Sequence, residues 1–167
     1  MVELAPQDRL QPALLDRLAD DDPGKTQEPV EARVLTKAGL RHAVLRDLAW
    51  LFNSVQMSGV EWAAFPHARH SVVNFGLPPL SGATASTLDV VDLENEVRQA
   101  ILDFEPRIIA STLQVEALAS EIQLDHHNVV SVQIRGDLWA QPVPLEILLR
   151  TDVDLETGEA AIRDLNG

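Results

Sequence analysis

The chain has 167 residues, of which 46% are hydrophobic, enough for one domain with a core of its own. Twenty-six acidic residues stand against 13 basic ones, a net charge of −13, so the chain is repelled by phosphate backbones and no nucleic-acid partner is expected. With no cysteine, disulfides, thiolate catalysis, Fe–S clusters and cysteine-bound zinc are all excluded. No apolar run approaches the ~20 residues of a membrane span, and no basic-then-apolar leader opens the sequence. A cytoplasmic protein without membrane insertion is the expectation.

The charge is uneven. Residues 1–31 carry 8 acids and 3 bases, residues 32–107 carry 8 and 7, and residues 108–167 carry 10 and 3. The middle of the chain is therefore where an acidic partner could dock, and the ends favour basic partners or serve solubility alone.

Residues 1–32 read as an N-terminal arm, and residues 33–167 as the folded domain. In the arm, Leu10, Leu14, Leu15 and Leu18 recur at helical spacing. Asp20-Asp21-Asp22-Pro23-Gly24 stops that helix, because proline cannot continue it. The three aspartates lack the alternating ligands and closing glutamate of a calcium loop and read as a solvated turn.

A strong helix is predicted from Thr36 to Asn53. Leu40, Val44, Leu45, Leu48, Leu51 and Phe52 share one face, Thr36 suits the N-cap, and Arg41, Arg46 and Asp47 lie off the apolar side. Residues 54–70 read as irregular; His67 and His70 lie three apart, but Pro66 and the lack of a third ligand argue against a metal. The segment from Ser71 begins as a short strand and closes as a Pro/Gly turn at residues 78–82, with Asn74 and Gly76 suited to unusual backbone angles. A second helix is predicted from Thr87 to Phe104, on the stripe Val90, Leu93, Val97, Ala100, Ile101 and Phe104. Glu105-Pro106 ends it, since a residue before proline is pushed out of the α region.

The remainder alternates with period two: Leu113, Val115 and Ala117; Val130, Val132, Ile134 and Leu138; Leu145, Ile147, Leu149, Thr151 and Val153. A polar outer face means an antiparallel sheet covered on one side. Residues 156–159 make a hairpin turn returning through Ala161 and Ile162, and residues 126–128 read as a loop. The fold class is α+β: two main helices packed on one face of a small, mainly antiparallel sheet, with a short N-terminal helical arm.

No phosphate loop, dinucleotide fingerprint or nucleophile elbow is present, and no cofactor or small-molecule substrate is expected. One acid stands out. Glu105 lies between an apolar helix end and Arg107. As a general acid it would make the chain a lysozyme-like peptidoglycan hydrolase. A guanidinium two residues away instead favours the ionised carboxylate, so structural pairing ranks first, a partner contact second and catalysis third.

Three strings in order carry a family resemblance: residues 46–54 (RDLAWLFNS), residues 71–78 (SVVNFGLP) and residues 104–108 (FEPRI). Over about residues 33–165 the chain resembles TssE, the type VI secretion baseplate protein related to a phage tail baseplate wedge protein and labelled lysozyme-like by name. The resemblance implies no enzyme but a structural subunit, seated in the wedge with TssF and TssG and templating the first ring of contractile sheath subunits by strand exchange. It implies that Glu105, Pro106 and Arg107 contribute to the wedge contact, with Arg46, Asn53, Asn74 and Gly76 as further partner-binding positions. One departure is visible: the arginine-rich run that often follows the helix-ending asparagine is replaced by Val55-Gln56-Met57. The C-terminal hairpin, residues 145–165, is the expected strand-accepting edge, with Asp152, Asp154, Glu156 and Glu159 discouraging random pairing.

Overall fold

The computed structural model describes residues 13–18, 24, 35–80, 89–118, 129–140 and 143–166. The elements run α1 (Leu14–Leu18), α2 (Lys37–Phe52), α3 (Pro66–Arg69), α4 (Val90–Phe104), β1 (Gln114–Ala117), β2 (Val129–Leu138), β3 (Leu145–Asp154) and β4 (Ala160–Asp164). The strands form one antiparallel sheet in the order β1-β2-β3-β4. This is the α+β architecture the alternation predicts.

α2 starts where Thr36 accepts a hydrogen bond from the Gly39 amide at 3.0 Å, and it buries Leu40, Ala43, Val44, Leu48, Leu51 and Phe52. α4 is capped by Asp89, which accepts from the amides of Val91 and Asp92, and it buries Leu93, Val97, Ala100 and Ile101. The predicted start at Thr87 lies outside the described residues, as do Leu10, Asp20 to Asp22 and residues 126–128. α4 lies along β1 and α2 along β4. Their apolar faces join Val130, Val132, Ile134, Leu138, Ile147, Leu149 and Val153 in one core. Burying a large aliphatic side chain of this kind contributes about 1.5–3 kcal/mol, so the two helices and the sheet hold one another.

Two stretches differ from the sequence reading. Residues 54–70 are not irregular throughout: a 3₁₀ turn spans Trp62–Ala64, and α3 follows with Pro66 at its first turn, where a missing N–H costs nothing. The predicted strand from Ser71 is a 3₁₀ turn at Val72–Asn74, and only a single parallel bridge, Val55 to Leu77, remains of it. Asn74 explains the difference. It is buried, accepts from the Met57 amide at 3.2 Å and donates to the Arg69 carbonyl at 3.1 Å. Its side chain thus takes up backbone groups that a neighbouring strand would otherwise need to meet.

Gly76 sits beside it with φ 130°. A Cβ there would lie 2.3 Å from the Ser54 carbonyl oxygen, so only glycine lets the two segments approach. The Val55-Gln56-Met57 segment is fixed by that approach: Leu77 N–H donates to Ser54, and Gln56 N–H to Leu77, each at 2.9 Å.

Candidate functional site

Where α4 ends, Glu105 closes the helix with its N–H on the Ile101 carbonyl, and its side chain is 3% exposed. Pro106 turns the chain outward and is exposed. The backbone after it is pinned to the end of β2: Ile108 bridges Leu138, Ile109 N–H donates to Asp137 O, and Trp139 N–H donates to Arg107 O, both at 2.8 Å. Arg107 is thereby aimed back at Glu105. Its Nε donates to Glu105 Oε1 at 2.6 Å, and its Nη2 to Glu105 Oε2.

The same Nη2 reaches Asp47 Oδ2 on α2 at 2.6 Å. Asp47 Oδ1 in turn accepts from Arg46 Nε and Nη2 at 2.9 and 2.8 Å. Arg46 Nη1 donates to Asp16 of α1, and its guanidinium lies 5.1 Å over the Trp50 ring. Five side chains from three segments thus alternate in sign: Asp16, Arg46, Asp47, Arg107 and Glu105. Burial works against the Arg107 charge, but Glu105 and then Asp47 outweigh it and hold the guanidinium above its ordinary value. The Asp16 hydrogen bond likewise raises Arg46, and Arg46 holds Asp16 below the usual carboxylate range.

Beside this chain of charges lies a hollow of about 250 Å³. Leu48, Leu51, Phe75 and Phe104 line its floor, with Phe75 and Phe104 edge to face at 5.2 Å. Ala13 and Leu15 of the α1 segment line its rim.

The geometry suits clamping better than proton transfer. Asp47 and Glu105 stand within roughly 5 Å of each other, a spacing that two carboxylates of a glycosidase can have. Both are held on one guanidinium, and Glu105 is also capped by the Arg107 amide at 3.2 Å. A carboxyl buried and occupied in this way offers no face to a glycosidic oxygen. Among the described residues, no group of three or more histidines or acids could hold a metal ion.

The structure joins Arg46, Glu105 and Arg107 in this one site. Asn74 and Gly76 lie apart from that chain of charges and shape the neighbouring loop. Asn53 has a different job. Its Nδ2 donates to the Ala160 carbonyl at 2.9 Å, and its Oδ1 accepts from the Ala160 amide at 3.0 Å, so α2 grips the start of β4. Sequence reasoning missed Asp47 as the link between the two arginines, and Asp16 as the acid on Arg46. Asp47 left a faint signal, an acid beside Arg46 off the apolar face of α2; Asp16 left none.

A model of the baseplate wedge protein gp25 family matches residues 38–143. The chain belongs to that family. It is the family of TssE, so the resemblance carried by the three strings holds, and with it a baseplate structural role. The match runs from α2 past the end of β2, taking in Arg46, Asp47, Asn53, Asn74, Gly76, Glu105 and Arg107, and leaving α1, β3 and β4 outside. No curated protein and no solved structure matches the chain. Among the described residues no helix is long and apolar enough to cross a membrane.

The wedge-family sheet has two unlike edges. On β1, Ala117 N–H donates to Glu94, and just before the strand the Leu113 carbonyl accepts from Arg98, both at 2.8 Å, so side chains of α4 hold outward groups at both ends of this edge. On β4, Asn53 holds only Ala160. Alternation along an antiparallel strand turns the N–H and C=O of Ile162 and Asp164 to that same outer side, while Ala161 and Arg163 face Asp152 and Arg150 of β3.

Proposed function

We propose that the chain is a structural subunit of a type VI secretion baseplate, linking the wedge proteins TssF and TssG to contractile sheath subunits and templating sheath assembly. The asymmetry of the sheet edges carries the reading. An incoming strand needs a row of free backbone donors and acceptors. Glu94 and Arg98 occupy outward groups at the two ends of β1 and leave only Val115 between them, whereas β4 offers Ile162 and Asp164 in succession. Of the six acids on the hairpin, Asp152 is paired with Arg150 and Ser131, Asp154 accepts from the turn amides of Glu156 and Thr157, Glu146 accepts from Arg135 and Asp164 from Arg41. Glu156 and Glu159 are exposed and favour a sheath strand with basic flanks.

The wedge contact belongs in this reading to a second site, at Arg46, Pro106 and Arg107, with Glu105 and Asp47 fixing the arginines. Asn53, Asn74 and Gly76 serve it indirectly, by holding β4 and the loop beside α2. Arg46 is the side chain to perturb, because it is partly exposed and lies outside the buried Glu105 pair. Purified TssF and TssG are expected to bind the wild-type chain and to bind Arg46→Glu at least tenfold more weakly, with both chains equally folded by circular dichroism. Equal binding would remove Arg46 from the interface and this placement with it.

A further inference from the structure

We propose that α1 is a displaceable internal ligand of the wedge site: an autoinhibitory strap that an acidic, amphipathic helix of a wedge partner replaces. The inference rests on the placement of the wedge contact given above, and concerns a segment outside the residues that the family match covers.

Asp16 supplies the terminal acid of the charge chain, on Arg46, while Leu15 beside it in sequence lines the apolar hollow. An acid for the arginines and an aliphatic group for the hollow are what a docking helix would bring. The complementarity is local: the Asp16 carboxylate meets the Arg46 guanidinium, and Asp16 lies in a stretch with 8 acids to 3 bases over residues 1–31.

The seat is poorly filled. The described residues of α1, Leu14–Leu18, lay little more than one helical turn against the site. Leu14 and Leu18 are 71% and 72% exposed, and Leu15 is still 49% exposed. Beneath it, Arg107 Nη1 is buried with no hydrogen-bond partner. A longer helix could bury its whole apolar face and bring a second acid to Arg107, so it outcompetes the arm. Until then the α1 segment pairs with Arg46 through Asp16 and lines part of the hollow through Ala13 and Leu15.

The absence of cysteine makes a clean test. A bimane label on Leu14→Cys, in the full chain, reports docking through quenching by Trp50, with Trp50→Phe as the control that removes the quencher. We expect at least a twofold rise in emission in the Asp16→Arg variant and a similar rise when saturating TssF and TssG are added to the labelled wild type. Asp16→Arg should also bind the wedge proteins about threefold more tightly. Equal emission with and without the Trp50→Phe substitution would show that the arm is not docked. Persistent quenching with wedge proteins bound, or weaker binding by Asp16→Arg, would show that the arm does not compete. Either overturns the proposal while leaving the wedge contact intact. If TssF and TssG bind none of the variants, the placement of the wedge contact itself fails, and the proposal with it.

Discussion

Replacing Arg107 by methionine isolates what holds the Glu105 turn. Methionine keeps most of the length and apolar bulk, so the change removes the charge and its donors. Glu105 is 3% exposed and loses both side-chain bonds from Arg107; Asp47 loses one. Removing one partner of a buried pair costs about 3–5 kcal/mol, because the remaining charge is stranded. The lower end applies here, since Arg107 keeps 24% of its side chain in solvent and Asp47 retains Arg46. For a urea m-value of about 2 kcal/mol/M, a loss of about 3 kcal/mol moves the midpoint down by about 1.5 M. The double variant Glu105→Leu, Arg107→Met removes both charges and should recover most of the loss, because an apolar pair of similar volume is often near neutral. Equilibrium unfolding of the wild type, Arg107→Met, Glu105→Leu and the double variant closes the cycle. A single Arg107→Met variant within about 0.5 kcal/mol of wild type would refute the view that this pair clamps the turn.

Three further outcomes follow from particular contacts. Ile162→Pro removes an outward N–H that no strand of the sheet uses, so sheath binding should be abolished, while stability should fall only by the packing loss measured in Ile162→Ala; Arg163→Pro, which breaks the ladder to Arg150, should unfold the hairpin. Gly76→Ala should cost about 3 kcal/mol or more in thermal unfolding, against about 1 kcal/mol for Gly59→Ala, where φ is also positive but an added Cβ meets nothing within 4 Å. Asp152 is pushed up by burial but pulled down further by Ser131 and Arg150, so its folded-state value lies below the unfolded one. Its contribution is then fully present above the usual carboxylate range and lost as pH falls below it; acid titration of stability should show that loss weakened in Asp152→Asn.

Much of the fold could be read from the chain because its elements are long enough to show a period. β2 and β3 alternate over ten residues each, and α2 and α4 carry apolar stripes of four turns. The short turns at residues 62–64, 66–69 and 72–74 could not be read, since three or four residues show no period. Val72 and Val73 looked like a strand by residue type, yet they are 81% and 62% exposed, because the Asn74 side chain fixes the local backbone. The same limit applies to the site. Glu105 and Arg107 lie two apart, and their pairing follows from sequence. Asp47 lies 60 residues from Arg107 and Asn53 lies 107 from Ala160, so only the folded chain brings them together.

The most direct test separates the two proposed contacts. Tagged wild type, Arg46→Glu and Ile162→Pro would be recovered from cells carrying the whole secretion gene cluster, and the bound proteins identified. Wild type should bring down wedge and sheath proteins, Arg46→Glu sheath without wedge, and Ile162→Pro wedge without sheath. Loss of both partners together from either folded variant, or recovery of neither by the wild type, would contradict a subunit that joins a wedge contact at the arginines to a sheath contact at β4.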